Sequence, residues 1–115
     1  MAKVLDLNNI EQMPTLELTL QDENRTTLLV TIPSEGLINE LEVNGPQLTK
    51  VLRKGDKAGM DACFDLAARL ISCNRNDRTI TAQELREVYK MSFESLLVFY
   101  SGYMDFLEEV KSLKN

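Results

Sequence analysis

Residues 15–32 read TLELTLQDENRTTLLVTI, and this stretch decides the fold class. Leu16, Leu18 and Leu20 alternate with Glu17 and Thr19, the period of two that marks a strand with one buried face. Residues 26–32 are again β-rich, with Leu28, Val30 and Ile32 on one face. Between the two runs, Asp22-Glu23-Asn24-Arg25 is a polar turn, so the stretch predicts a β-hairpin. Two strands alone are marginal in water and need a helix or a further strand over their apolar face. The residues leave open whether the hairpin edge pairs with another chain.

Upstream, residues 1–14 form a lead-in arm in which Val4, Leu5, Leu7 and Ile10 either pack or remain a mobile segment. Downstream, Pro33 ends the second strand and Ser34 stands where a helix N-cap is wanted. Leu37, Ile38 and Leu41 follow at helical spacing. Asn44-Gly45-Pro46 predicts a break or kink, after which Leu48, Val51 and Leu52 resume the period. Lys50, Arg53, Lys54 and Lys57 read as cations near a helix C-terminus, where the helix dipole favours them, or as an anion or partner contact.

Residues 57–73 predict the central core helix. Met60, Cys63, Phe64, Ala67, Ala68, Leu70 and Ile71 form its apolar face, and Asp61, Asp65 and Arg69 lie largely opposite. Thr81 and Glu84 have capping-box spacing, and Ile80 and Leu85 are placed for a hydrophobic staple, so a helix starts there and runs to about Lys90. Ser92 caps the last helix, whose stripe is Phe93, Leu96, Leu97, Tyr100, Tyr103, Met104, Leu107 and Val110. Phe99, Phe106 and Leu113, seven apart, form a second seam beside it. This surplus is either sunk in the chain's own core or offered to a dimer or partner groove. The expectation is an α+β fold, an N-terminal β-hairpin followed by a bundle of about four to five α-helices. It occupies a single domain over residues 1–115, with an arm at 1–14, the hairpin at 15–32 and the helical part at 34–115.

Composition narrows the function. The chain has 115 residues and a net charge of −5, with a pI of about 4.7. It has no histidine, which removes the commonest general base, the Ser-His and Cys-His nucleophile pairs and most zinc sites. Cys63 and Cys73, the two cysteines, are too few for a four-thiolate metal site. On one helix they stand about 15 Å apart along the axis, too far for a disulfide. Two free thiols and a start that does not read as a signal peptide point to a reducing cytosol. No apolar run approaches the length of a membrane span, and the acidic balance argues against nucleic acid. Cys73–Glu84 has the length of an EF-hand loop, but Cys73, Arg75 and Arg78 stand where two ligands and the turn glycine belong, so calcium is not expected. Glu84/Glu87 and Asp105/Glu108/Glu109 read as solvated helix faces. The glycines are scattered and form no phosphate loop. No enzyme activity, cofactor or metal is expected.

The order of segments carries a resemblance. VLDLNNIEQMPTLELTL (4–20) leads into the hairpin and then IPSEGLINEL (32–41); DLAARLISCNRN (65–76) precedes TITAQEL (79–85); and LLVFYSGYMDFLEEVKSLKN (96–115) closes the chain. This order, with Asn74, Thr81, Tyr103, Phe106, Lys114 and Asn115 as polar and aromatic anchors, resembles the small tail assembly chaperones of long-tailed phages and prophages of Gram-positive bacteria. The resemblance implies a non-enzymatic protein of the bacterial host cytosol that binds the long helical tape measure protein, keeps it soluble and helps tail tube subunits assemble around it. A client of that kind exposes long apolar stripes, and the wide last helix is the matching surface, with Phe99, Phe106 and Leu113 as contacts and Tyr103 as an amphipathic rim residue. The alternative reading is a small homodimeric structural or regulatory protein-binding module of the cytosol, the last-helix seam forming its homo-oligomer interface.

Overall fold

A computed structural model describes the backbone of residues 14–55 and 57–113, with the side chains of 46–49, 52, 112 and 113 left outside the description. The expected arm falls largely at residues 1–13, outside the described residues. Two strands, β1 (Leu16–Thr19) and β2 (Thr27–Val30), are followed by four helices: α1 (Glu35–Lys54), α2 (Lys57–Ile71), α3 (Ala82–Glu87) and α4 (Phe93–Leu113). The architecture is α+β, with the N-terminal hairpin and helical bundle expected from the sequence.

The hairpin is antiparallel, with Leu16 opposite Val30, Leu18 opposite Leu28, and Thr19 opposite Thr27. Leu20, Leu28 and Val30 are buried, and Leu16, Leu18 and Ile32 pack against the same core. Glu17, Thr19 and Thr27 face solvent. The period of two is therefore realised in the predicted phase. The turn closes through Asp22, whose carboxylate accepts the Thr26 N–H at 2.7 Å and the Thr26 hydroxyl. Arg25 takes a left-handed φ of 48° there, and its N–H donates to the Asp22 carbonyl at 3.0 Å.

Ser34 caps α1, its hydroxyl accepting the Leu37 N–H at 3.3 Å. The helix then runs unbroken through Asn44-Gly45-Pro46 to Lys54, so the expected break is corrected. A proline inside a helix removes one hydrogen bond, here the one to the Glu42 carbonyl. Glu42 is an exposed residue. Termination comes instead at Gly55, whose φ of 68° is the left-handed C-cap geometry, with Arg53 and Lys54 in the last turn.

α2 is the central element, touching α1, α3 and α4. Its buried set is the predicted one with Leu66 added and Met60 only half-buried. Gly59 is where α1 comes closest: a Cβ there would stand 2.3 Å from Cγ1 of Val51. Arg69 forks to Glu40 across the α1–α2 seam, and its Nε lies 3.1 Å from Asp65 on its own helix. These pairs are solvent-exposed and screened, so they add little to stability.

The capping box of α3 is complete. Thr81 Oγ1 accepts the Glu84 N–H at 3.1 Å, and Glu84 Oε1 accepts the Thr81 N–H at 3.1 Å. Ile80 and Leu85, the staple pair, are both buried. The helix ends at Glu87, three residues early, because Lys90 adopts φ 55° and the Met91 N–H turns back to the Leu85 carbonyl. Ser92 then caps α4, accepting the Ser95 N–H at 3.2 Å.

Candidate functional site: an open groove beside the hairpin

The last helix buries a stripe rotated from the one its spacing predicted. Leu96, Phe99, Tyr100, Tyr103, Phe106, Leu107 and Val110 face inward, while Leu97 and Met104 are exposed. The placement expected for client contacts is corrected accordingly. Phe99 and Phe106 are each 5% exposed and Tyr103 is 0% exposed, so Phe106 is not an open contact and Tyr103 is not a rim residue, while Phe99 offers only a small part of its ring to the groove beside the hairpin. Rings run in series along the helix, with centroids 5.5 Å apart for Phe99–Tyr103 and 6.0 Å for Tyr103–Phe106. The described members of the second seam, Phe99 and Phe106, belong to the buried core cluster. The side chain of Leu113 lies outside the described residues.

Two phenols anchor this interior differently. Tyr100 donates to the Cys63 carbonyl at 2.5 Å. The Tyr103 hydroxyl is buried with no hydrogen-bond partner among the described residues. Burial pushes both phenols well above their ordinary value, and burial also raises the Cys63 thiol. These groups stay neutral near pH 7 and are built for packing rather than for proton transfer.

The segment Cys73–Arg78, the first half of the Cys73–Glu84 stretch of EF-hand length, clips the sheet. Asn74 Nδ2 donates to the carbonyls of Ile71 and Arg78, both at 2.8 Å. Its Oδ1 accepts the N–H groups of Asn76 at 3.0 Å and Arg78 at 3.1 Å. The turn so shaped lies along the outer edge of β2, where Thr31 N–H donates to Cys73 O at 2.8 Å and Arg75 N–H donates to Leu29 O at 3.0 Å. Glu84 meanwhile is spent on the capping box. Among the described residues no three histidine, cysteine or carboxylate side chains gather where they could hold a metal ion.

The open feature lies on the other side of the hairpin. A groove of about 460 Å³ runs between β1 and the first half of α4. One wall is residues 16–21, the floor includes Tyr89 and Met91, and the far wall includes Val98 and Gly102. Val98 is 73% exposed, the highest value for a large apolar residue of α4 among the described side chains. Ser95 Oγ donates to Gln21 Oε1 at 2.8 Å and pins one end of the groove. The charged residues lining it are Glu17 and Glu94, both acidic. Sequence reasoning found the strand and the helix but not their juxtaposition, and it placed Val98 with Phe99 and Phe106 as a residue widening the apolar stripe, which its exposure corrects.

No protein-family model matches the chain, and the searches of curated proteins and of solved structures likewise return no match. No described helix is long and apolar enough to cross a membrane.

Proposed function

We propose that this chain is a non-enzymatic binding module of the host cytosol, a tail assembly chaperone that holds a tape measure protein before tail tube subunits enclose it. The segment order and the anchor residues support the phage part of this reading. The groove between β1 and α4 is the observation that carries the binding part: an apolar, solvent-open channel in a chain whose catalytic equipment is otherwise absent from its sequence. The client surface assigned to Phe99, Tyr103 and Phe106 narrows to that groove: Phe99 is part of its lining, whereas Tyr103 and Phe106 are buried and lie outside it.

Co-expression tests it. The gene's neighbourhood should contain a long, helical reading frame. That long protein, expressed alone, should aggregate; expressed with this chain, it should stay in the supernatant and co-purify. Unrelated neighbouring genes, or an equally insoluble client in both cases, would overturn the reading.

A further inference from the structure

Among the described residues, the hairpin has one closed edge and one edge without a partner strand. In an antiparallel pair, alternate residues direct their N–H and C=O groups to the partner strand and the others direct them outward. The Leu20 N–H donates to the Thr26 carbonyl at 2.8 Å. With the register Leu16–Val30 and Leu18–Leu28, the even residues of β1 therefore bond inward and Glu17 and Thr19 point their backbone groups outward. The same parity turns Leu29 and Thr31 outward on β2. There the groups are taken by Cys73, Arg75 and the Asn76 side chain, which accepts the Leu29 N–H at 2.9 Å. Along β1, the outward backbone groups of Glu17 and Thr19 have no partner among the described residues.

That open edge borders the groove. Residues 16–21 line it without a gap. Successive side chains of a strand point to opposite faces, so a continuous lining run means that the strand shows the groove its edge rather than a face. An unpaired edge is a template for another strand, and here it has an apolar channel beside it.

We propose that the β1 edge takes a third strand from a partner protein: an extended segment, apolar at alternate positions and carrying lysine or arginine at the positions between. Strand addition gives backbone hydrogen bonds to Glu17 and Thr19 and sends alternate side chains into the channel against Leu18 and Val98. The intervening side chains fall on the solvent face beside Glu17, and Glu94 stands across the groove. A cationic segment complements both carboxylates, and no lysine or arginine among the described residues lines the groove to oppose it. A second copy of this chain is disfavoured by the same charges, since it would bring acidic edges together on chains of net charge −5. The inference rests on the reading of the chain as a client-binding module and names the form in which a client segment binds.

The test uses the full chain and a panel of eight-residue peptides alternating Val, Leu, Ile or Phe with Lys or Thr. Binding is followed by fluorescence anisotropy and amide exchange by NMR. Lysine-bearing members should slow exchange at Glu17 and Thr19 at least tenfold and leave Leu18, already bonded, unchanged. N-methylation of the three central peptide amides, or replacement of Lys by Glu, should each weaken binding at least tenfold. Val98→Lys, on an exposed position, should weaken it at least fivefold with an unchanged melting temperature. The proposal is overturned if no peptide protects Glu17 and Thr19, or if N-methylated or glutamate peptides bind as well. It is equally overturned if those two amides become protected with rising protein concentration alone, which would assign the edge to a second copy. A failed panel beside successful co-solubilisation of the long client removes strand addition and leaves the chaperone reading standing.

Discussion

The Tyr100 hydroxyl donates to the backbone carbonyl of Cys63 at 2.5 Å, joining the middle of α4 to the middle of α2 inside the core. The Cys63 carbonyl lies within α2 and keeps its helical partner without the phenol. Tyr100→Phe therefore removes a bond without orphaning the acceptor. We expect a loss of about 0.5–1.5 kcal/mol in urea unfolding with an unchanged m-value. A loss above about 3 kcal/mol would mean that the bond also sets the α2–α4 packing.

Burial raises the pKa of Tyr100 and of Tyr103 above the free phenol value. A phenol whose folded value lies above its unfolded value favours the folded state fully below the unfolded pKa, and that contribution is lost as pH rises toward the folded one. Stability should therefore hold to about pH 10 and fall steeply above it. Tyrosinate absorbance should rise in step with loss of helical circular dichroism. If both tyrosines ionise in the folded protein, the burial argument fails.

Asn74 makes four hydrogen bonds to backbone groups of Ile71, Asn76 and Arg78. Asn74→Ala should cost about 1–3 kcal/mol and speed amide exchange at Thr31 and Arg75, whose bonds depend on this turn. Asn74→Asp should be no better, because a carboxylate would face the Ile71 and Arg78 carbonyls where an amide now donates. Calcium should restore neither variant.

Phe106 and Val98 lie eight residues apart on α4 and occupy opposite environments, one 5% and the other 73% exposed. Phe106→Asp places a charge in the core and should cost more than about 4 kcal/mol, leaving little folded protein. Val98→Asp should change stability by less than about 0.5 kcal/mol. Equal effects in thermal melts would contradict the rotated stripe.

The Thr26 side-chain hydrogen bond holds the Asp22 carboxyl below the ordinary aspartate range, aided by the Thr26 N–H. A lowered folded pKa contributes stability above the unfolded value and loses it as pH falls through the folded one. The hairpin should loosen on the acid side of pH 4, roughly the free aspartate value. Asp22→Asn, which keeps an acceptor for the Thr26 N–H, should show a smaller difference in melting temperature between neutral and acid pH than the unsubstituted chain. An Asp22 carboxyl that titrates at the ordinary value in NMR would remove the prediction.

Local chemistry determined the elements of this protein. The Leu16-Leu18-Leu20 alternation, the Ser34 cap and the Thr81–Glu84 box act over three or four residues, and each is realised as written. Pro46 is the local signal that yields, since a helix continuing on both sides outweighs one missing hydrogen bond. Tertiary packing alone decided which apolar residues of α4 turn inward. Offsets along a helix define candidate stripes, but the surface that arrives opposite, from β1, α2 and α3, selects between Leu97 with Met104 and Phe99 with Phe106. It also decided the two edges of the hairpin. Cys73 and Asn74 lie more than forty residues beyond β2 and close one edge, while the other opens on a groove walled by α4. No short-range pattern encodes that asymmetry, because it arises only when distant backbone groups meet.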